Sequence, residues 1–364
     1  MKNFVNRFSY LTHHILDQMV GAETPKLYFK QQGLFSELFN TLPRLKSKYI
    51  PTPWLANSHL HIFYFDVIKK KKNDFIYDSI QQLKMQDGGI TGIAWAGLDL
   101  PEDTPTIVLL HTLTGSPESM AEIVNDLQQY TGWRIALCIR RGHANLPMNV
   151  PKINLFGSPD DLKEQLAFIQ KKLPKSDLYA VGSSAGTGLL VRYLGEVGAD
   201  TPFKAAFALC PGYNTETGFK NVHPFYSKVM VKKLLDKFVE PYQEVWQGVD
   251  AVNNIKNAKN LAEFEKMYYQ MAGFSDYDSY TKATNPIYVF ENVKIPLLIL
   301  NAEDDPVCHI KNFEPYREKI LKMENVAVIT TKKGSHCGFY EGSISTKSWA
   351  NKLIAEYFQY FEKQ

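Results

Sequence analysis

The stretch from residue 178 to residue 188 reads Leu-Tyr-Ala-Val-Gly-Ser-Ser-Ala-Gly-Thr-Gly. An apolar run stops at a Gly-x-Ser-x-Gly pentapeptide, and a helical pattern follows it. The five letters alone also fit a glycine-rich loop, but their setting predicts strand, sharp turn and helix with a serine at the apex. Strand and helix pass closely there, so the residues two before and two after the apex must be nearly without side chains. Gly182 and Gly186 flank Ser184 in this way, whereas Ser183 would have a valine at one flank. We therefore predict Ser184 as a nucleophile.

A serine hydroxyl needs a base, and the base needs a carboxylate that fixes its tautomer. In doubly wound hydrolases the acid and then the histidine follow the serine, each at the end of a later strand. The cluster Glu303-Asp304-Asp305 follows the apolar run 295–300 and stands where the acid is expected. We choose Asp305 because the following proline turns the chain away, and Asp304 is then its neighbour. The cluster alone would also fit an acidic solvent-exposed loop.

The base is predicted from the loop after the last apolar run. His336 stands there between glycines, before the final helical pattern, and is our choice for the general base. His309 ranks second, because it begins a helix instead of following the last strand. His13 and His14 lie in an amphipathic segment, and His223 lies in a helical insertion, where surface or capping roles suit them.

Two backbone N–H groups are expected to bind the oxyanion. One comes from the residue after the nucleophile and the other from a loop after an early strand. Ala185 follows the serine, and the loop 111–116, His-Thr-Leu-Thr-Gly-Ser, follows the apolar run 106–110. We therefore predict the N–H groups of Leu113 and Ala185 as the donors.

Continuous apolar runs alternate with helical patterns from residue 106 onward, as is typical of strands buried on both faces of a parallel sheet. The predicted strands are 106–110, 134–139, 178–181, 204–209, 295–300 and 326–330, and the predicted helices are 119–130, 159–173, 185–196 and 345–361. Two alternating runs, 80–85 and 90–95, predict a hairpin before them. The pattern predicts an α/β fold with a mostly parallel, doubly wound sheet and an antiparallel N-terminal hairpin.

The domain organisation follows from the one interval that is too long for a connection, 213–291, which carries apolar residues at helical spacing. We predict it to be a helical cap inserted into the core. The core is then formed by 76–212 and 292–364, and 1–75 is an N-terminal extension that packs on it.

The composition excludes some functions. The 364 residues are 45% hydrophobic and 22% charged, and a net charge of +3 is too small to indicate a nucleic-acid partner. The run 69–72, four lysines, predicts a solvated loop or a contact with anionic lipid headgroups.

Residues 1–27 have neither a signal-peptide core nor the apolar length of a membrane span. The cysteines Cys138, Cys210, Cys308 and Cys337 lie far apart in sequence and form no metal-binding spacing. We expect a cytoplasmic protein, with peripheral membrane contact as an option.

Several motifs together resemble one branch of the α/β-hydrolases. They are Asn57-Ser58-His59-Leu60, Leu113-Thr114-Gly115-Ser116, Arg140-Arg141-Gly142, Gly182-Ser183-Ser184-Ala185-Gly186, Ala272-Gly273-Phe274-Ser275-Asp276-Tyr277, Leu300-Asn301-Ala302-Glu303-Asp304-Asp305-Pro306 and His336-Cys337-Gly338-Phe339. The branch holds abhydrolase-domain monoacylglycerol lipases, medium-chain ethyl ester synthases, embryogenesis-associated proteins and bacterial relatives. The resemblance covers about residues 50 to 361.

The resemblance implies a triad of Ser184, Asp305 and His336, in agreement with the order of the strands. Relatives usually carry glycine where this chain has Thr112, and the threonine could narrow the loop 111–116 that is expected to bind the oxyanion. Relatives also usually carry paired glycines after the serine turn, whereas here Thr187 stands between Gly186 and Gly188. Several relatives carry an N-terminal membrane anchor, which is not seen here. Some relatives are discussed as acyltransferases with a His-x4-Asp motif. The segment from His61 to Asp66 fits this motif, but one match among nine histidines easily arises by chance.

These observations predict a serine esterase or lipase that acts on medium- or long-chain acyl esters and uses no metal or organic cofactor. Two alternatives stay open. The acyl group could pass to an alcohol instead of water, or the fold could serve as a non-catalytic binding module.

Overall fold

The computed structural model describes residues 17–69, 75–343 and 346–364. The predictions on residues 1–16, including His13 and His14, and on three of the four lysines of the basic run lie outside these ranges. The described residues form a nine-stranded sheet in the order β1-β9-β8-β7-β6-β4-β5-β3-β2. Its strands are β1 (Lys26–Tyr28), β2 (Ser79–Lys84), β3 (Ile90–Ala96), β4 (Thr106–Leu110), β5 (Arg134–Ile139), β6 (Leu178–Ser183), β7 (Phe203–Leu209), β8 (Leu297–Ala302) and β9 (Val326–Thr331).

The pairing of these strands confirms the predicted sheet. Strands β4 to β9 run parallel to one another, whereas β2 pairs antiparallel with β3, and β3 antiparallel with β5. Strand β1, which was not predicted, pairs antiparallel with β9 at the other edge. The final helix starts later than predicted. Lys347–Ser348 pair with Tyr340–Glu341, and the helix begins at Trp349, where the Ser348 side chain accepts the Asn351 N–H as an N-cap.

Helices cover both faces of the sheet. The helices of the chain include α1 (Leu34–Thr41), α2 (Pro43–Lys46), α3 (Ser58–Phe63), α4 (Pro117–Thr131), α5 (Pro159–Lys172), α6 (Ala185–Val197), α7 (Thr215–Asn221), α8 (Pro224–Leu234), α9 (Ala251–Ile255), α10 (Leu261–Tyr268), α11 (Tyr277–Thr284), α12 (Arg317–Ile320) and α13 (Trp349–Glu362). None of the helices in the described ranges combines the length and the apolar character that crossing a bilayer requires.

Alternate residues of each central strand enter opposite halves of the core. In β4, Ile107 and Leu109 pack with α4 and α13, while Val108 and Leu110 pack with α5 and α6. All of β4 is buried, and after Thr106 its residues are continuously apolar instead of alternating. The sheet therefore holds the ends of β4, β6 and β8 in fixed positions.

The chain between β7 and β8 is built from helices α7 to α11 and short helical turns. Its apolar side chains form a cluster that includes Phe264 and Tyr268 and extends to Leu113, Ile153 and Leu155 of the core loops. These helices therefore lie against the loops that carry the predicted site. The domain boundaries themselves stay a prediction.

Candidate active site

The loop at Ser184 joins β6 to α6 through a strained backbone. Ser184 has φ 51° and ψ −116°, and its N–H donates to the Leu209 carbonyl at 2.9 Å. A Cβ at Gly182 would lie 2.7 Å from the Gly186 carbonyl oxygen, and a Cβ at Gly186 would lie 2.2 Å from that of Leu110. The two glycines are therefore required by close backbone approach, and the surrounding packing holds the serine at the apex in its strained conformation.

Three predicted residues form one hydrogen-bonded chain. Nε2 of His336 lies 2.8 Å from Oγ of Ser184, and its Nδ1 lies 2.8 Å from Oδ2 of Asp305. Oδ1 of Asp305 accepts the N–H groups of Val307 and Cys308 at 2.7 and 2.9 Å. The carboxylate, which is 1% exposed, is thus held by the turn that follows β8. With its proton on Nδ1, the imidazole can accept a proton at Nε2.

Burial by itself lowers the pKa of His336, but interactions with the Asp305 carboxylate and with Cys337 together outweigh it and raise the pKa well above its usual value. The histidine loop is strained as well, since Ser335, Cys337 and Phe339 all have positive φ angles of 48° to 64°. Strain of this kind persists where the surroundings fix it, and it is common at functional sites. Here the Ser335 hydroxyl donates to the Ser58 carbonyl at 2.7 Å.

The two alternative choices occupy other positions. Asp304 accepts the Ser335 N–H at 2.9 Å and lies 3.6 Å from the Lys333 ammonium, so it supports the histidine loop from outside. His309 lines the same cavity as Ser184, but its Nδ1 accepts the N–H of Lys311 as the cap of a short helical turn. Neither touches Ser184 or His336 through a hydrogen bond in the described residues.

The predicted oxyanion donors come from two separate segments that line the same cavity. Ala185 begins α6, and the first N–H of a helix has no acceptor within it. The Leu113 N–H has no acceptor among the residues that the structure describes. Leu113, Ala185 and Ser184 line one cavity. Thr112 does not have a positive φ, so its backbone conformation does not require glycine.

Two buried residues contact the backbone of the loop 111–116, which carries Leu113, and neither was assigned a role from the sequence. Arg140 donates from its guanidinium to the carbonyls of His111 and Thr112. His143 places Nε2 2.9 Å from the Leu113 carbonyl, and burial lowers its pKa to about 3. The only available signal was a pair of arginines directly after a predicted strand, which cannot reveal a contact with another loop.

The cavity above Ser184 has a volume of about 560 Å³ and is bounded by the core and by helices α3, α7 and α8. Its walls are mainly apolar and include Ile62, Phe63, Phe219, Val222, Phe225 and Val229. Asp66 and Lys233 also line it and pair with each other at 2.8 Å. The cavity can thus hold an apolar chain next to the serine.

The His-x4-Asp pattern does not form a unit with the serine. His61 is buried, with Nδ1 at 3.1 Å from the Leu55 carbonyl and Nε2 accepting the Tyr340 N–H at 3.1 Å. Burial lowers the pKa of His61 to about 4. Its ring joins two chain segments, while Asp66 faces the cavity and pairs with Lys233.

Two groups of side chains in the described residues lie close enough to share a metal ion. One is Cys210, His336 and Cys337, and the other is Asp305, Cys308 and His336. Both need a nitrogen of His336, and both ring nitrogens already lie at hydrogen-bond distance from Ser184 and Asp305. A metal ion here would therefore break that hydrogen-bonded chain.

Comparisons with known proteins agree with this architecture. Embryogenesis-associated protein EMB8 of Picea glauca is 26% identical over 362 residues, covering 91% of this chain and 76% of that protein. Phospholipase ABHD3 of Homo sapiens is 27% identical over 337 residues, covering 88% and 80%. Monoacylglycerol lipase ABHD2 of Homo sapiens is 23% identical over 384 residues, covering 96% and 88%.

A solved structure of a protein of unknown function from Staphylococcus aureus Mu50 shares the fold, with a TM-score of 0.53 at 11% identity over 79% of this chain and 99% of that one. The model of the α/β hydrolase fold matches residues 105–343, well over half of the chain. The match spans the serine turn, the helical interval and the histidine loop, and the chain therefore belongs to the α/β-hydrolase fold family.

Proposed function

We propose that the protein is a serine hydrolase that cleaves carboxylic esters of medium- or long-chain acyl groups through an acyl-enzyme. One observation carries the proposal: the hydrogen-bonded chain from Asp305 through His336 to Ser184 opens into an apolar cavity. Relatives named as a monoacylglycerol lipase and a phospholipase support an ester or lipid substrate.

The chemistry follows from the contacts. Oγ of Ser184 attacks the ester carbonyl carbon while Nε2 of His336 takes the hydroxyl proton, and the carbonyl π electrons move onto oxygen. The N–H groups of Leu113 and Ala185 bind this oxyanion. The tetrahedral intermediate collapses, the alcohol leaves with the proton from His336, and the acyl group stays on Ser184. Water then repeats the sequence, releases the acid and restores the serine.

The cavity walls predict a dependence on acyl-chain length. Burial of one CH2 group contributes about 0.8 kcal/mol, which corresponds to roughly a fourfold gain in kcat/KM per added CH2. We expect this gain to continue until the chain fills the cavity of about 560 Å³ and then to stop. A p-nitrophenyl ester series from acetate to palmitate measures it.

The deciding experiment is labelling with a fluorophosphonate, followed by hydrolysis of that ester series. We expect Ser184→Ala to lose both labelling and turnover. Ser183→Ala is the matched control, because the Ser183 hydroxyl contacts Cys337 Sγ at 3.6 Å and not His336. Equal labelling of wild type and Ser184→Ala would refute the proposal. An acyltransferase would instead give an alkyl ester as its main product when an alcohol is added to the assay.

The rim of the cavity supports a second part of the proposal, contact with a lipid surface during catalysis. Phe63 and Phe225 line the cavity and are nevertheless 54% and 63% exposed, and Leu60 on the same helix as Phe63 is 55% exposed. Leu60 is not part of the cavity wall among the described residues, so Leu60→Ser should weaken sedimentation with phosphatidylcholine vesicles. Turnover of water-soluble p-nitrophenyl acetate by this variant should change little. Unchanged vesicle binding would count against the contact.

A further inference from the structure

The guanidinium of Arg140 is buried behind the loop that carries Leu113. Nη1 donates to the His111 carbonyl at 2.9 Å and Nη2 to the Thr112 carbonyl at 2.6 Å. Within the described residues, Nε has no hydrogen-bond partner and no carboxylate forms an ion pair with this side chain. Burial lowers the pKa of Arg140 to about 9. The group is therefore a buried cation at neutral pH whose partners are backbone carbonyls.

Two other arginines differ from Arg140, one in its partners and the other in its position. Arg141, the next residue, pairs with the carboxylates of Asp161 and Asp87 at 2.6 and 2.8 Å. Arg134 begins strand β5, which ends at Ile139 just before Arg140, and it also donates to backbone carbonyls, including those of Gly97 and Leu100. It lies at the opposite end of a six-residue strand, about 20 Å away. The buried charge of Arg140 thus stands at the catalytic end of the sheet.

The carbonyl of Thr112 is the acceptor that links Arg140 to the site. It accepts from three donors: Nδ1 of His111 at 2.8 Å, Nη2 of Arg140 at 2.6 Å and the Gly115 N–H at 3.0 Å. In a planar trans peptide the C=O and the following N–H point in opposite directions. The donors therefore turn the Leu113 N–H away from Arg140, and Leu113 lines the cavity together with Ser184.

We propose that Arg140 is a positioning residue for the oxyanion. It holds the Thr112 carbonyl so that the Leu113 N–H points toward the oxyanion, and its charge strengthens that N–H as a donor. A hydrogen bond from an ionised donor is about twice as strong as a neutral one, and hydrogen bonds in a chain polarise each other. The inference rests on the proposed function, since it concerns charge that develops during attack by Ser184.

The test compares Arg140→Met and Arg140→Lys with Arg134→Lys as the matched control. Removing a whole oxyanion donor lowers kcat about 10²- to 10³-fold, so we expect Arg140→Met to lower kcat about 100-fold with KM changed less than about threefold. Arg140→Lys keeps the charge but not the two-pronged geometry and should fall between Arg140→Met and wild type. Arg134→Lys should lower the melting temperature while kcat per folded molecule stays unchanged.

A trifluoromethyl ketone separates positioning from plain structural damage. It adds to Ser184 and places a negative oxygen where the oxyanion forms, so its affinity should fall about as much as kcat does across the Arg140 variants. The fraction of folded protein, measured by circular dichroism, corrects each value. If Arg140→Met does not fold, Arg140→Lys carries the comparison.

The outcomes separate the two proposals. A wild type that hydrolyses esters, with Arg140 variants that keep its kcat and inhibitor affinity, would overturn this inference alone. The inference would also be overturned if Arg140→Lys lost no more inhibitor affinity, relative to wild type, than Arg134→Lys does. A wild type that neither hydrolyses esters nor reacts with a fluorophosphonate would overturn the proposed function and this inference with it.

Discussion

Asp305→Asn tests the role of the acid through the tautomer of His336. In the wild type, Oδ1 accepts two backbone N–H groups, from Val307 and Cys308, while Oδ2 faces Nδ1 of His336 at 2.8 Å. An asparagine must keep its carbonyl oxygen toward those two N–H groups, because its NH2 group cannot accept them. Its NH2 group then faces His336 and donates to Nδ1. The imidazole proton is forced onto Nε2, which can no longer accept the Ser184 proton.

The expected loss is about 10⁴-fold in kcat, or roughly 5.5 kcal/mol in the barrier, as in other triads where the acid becomes an amide. The assay is hydrolysis of a p-nitrophenyl ester at pH 7, with melting temperature as the measure of folding. Asp304→Asn is the matched control, because Asp304 contacts the Ser335 N–H and Lys333 instead of the imidazole. We expect it to lose less than about tenfold. Equal losses in both variants would refute the argument from the backbone contacts of Asp305.

Three further predictions concern pH and packing. Because Asp305 raises the pKa of His336 and only the neutral ring accepts a proton, kcat/KM should rise with pH with a midpoint above 6.5, and a flat profile from pH 5 to 8 would contradict this. Burial raises the pKa of Glu265 from 4.5 to about 7, so the folded state binds more protons and unfolding free energy falls as pH rises through this window. Glu265→Gln should remove up to about 3 kcal/mol of that fall. Urea unfolding at pH 5 and pH 8 measures the change of unfolding free energy with pH, and the same change in wild type and variant would contradict the prediction. Gly186→Ala should cost about 3 kcal/mol of unfolding free energy or more, because its Cβ meets backbone at 2.2 Å. Among the described residues, a Cβ at Gly188 meets no atom within 4 Å, so Gly188→Ala should be neutral or stabilising. Equal melting temperatures for the two alanine variants would contradict the packing argument.

The parts of the fold that could be predicted are those that local sequence determines. Strands such as β4 are buried on both faces and show it as continuous apolar runs, and the flanking glycines identify Ser184 from sterics alone. The position of Asp305 follows from the same logic, because the turn after β8 that holds its carboxylate is formed by the next few residues. The structure brings these residues together in the predicted order.

The parts that could not be predicted depend on contacts between distant segments. Strand β1 has three residues and a mixed burial pattern, so no periodicity marks it. The role of Arg140 depends on the loop after β4 lying beside the end of β5, a contact that spacing along the chain does not contain. Likewise, His61 in a His-x4-Asp pattern could not be distinguished from a buried structural histidine until its two backbone partners were known.

The short strand β1 has a consequence for synthesis of the chain. Leu27 pairs with Ile329, so this edge closes only when a segment about 300 residues later is available. At about 5 to 20 residues per second on the ribosome, Lys26–Tyr28 wait on the order of 15 to 60 seconds for their partner. During that time the backbone N–H and C=O groups of β1 that later pair with β9 can form hydrogen bonds with other strands. Until β9 is made, aggregation through these unpaired backbone groups of β1 therefore has to be prevented by other means.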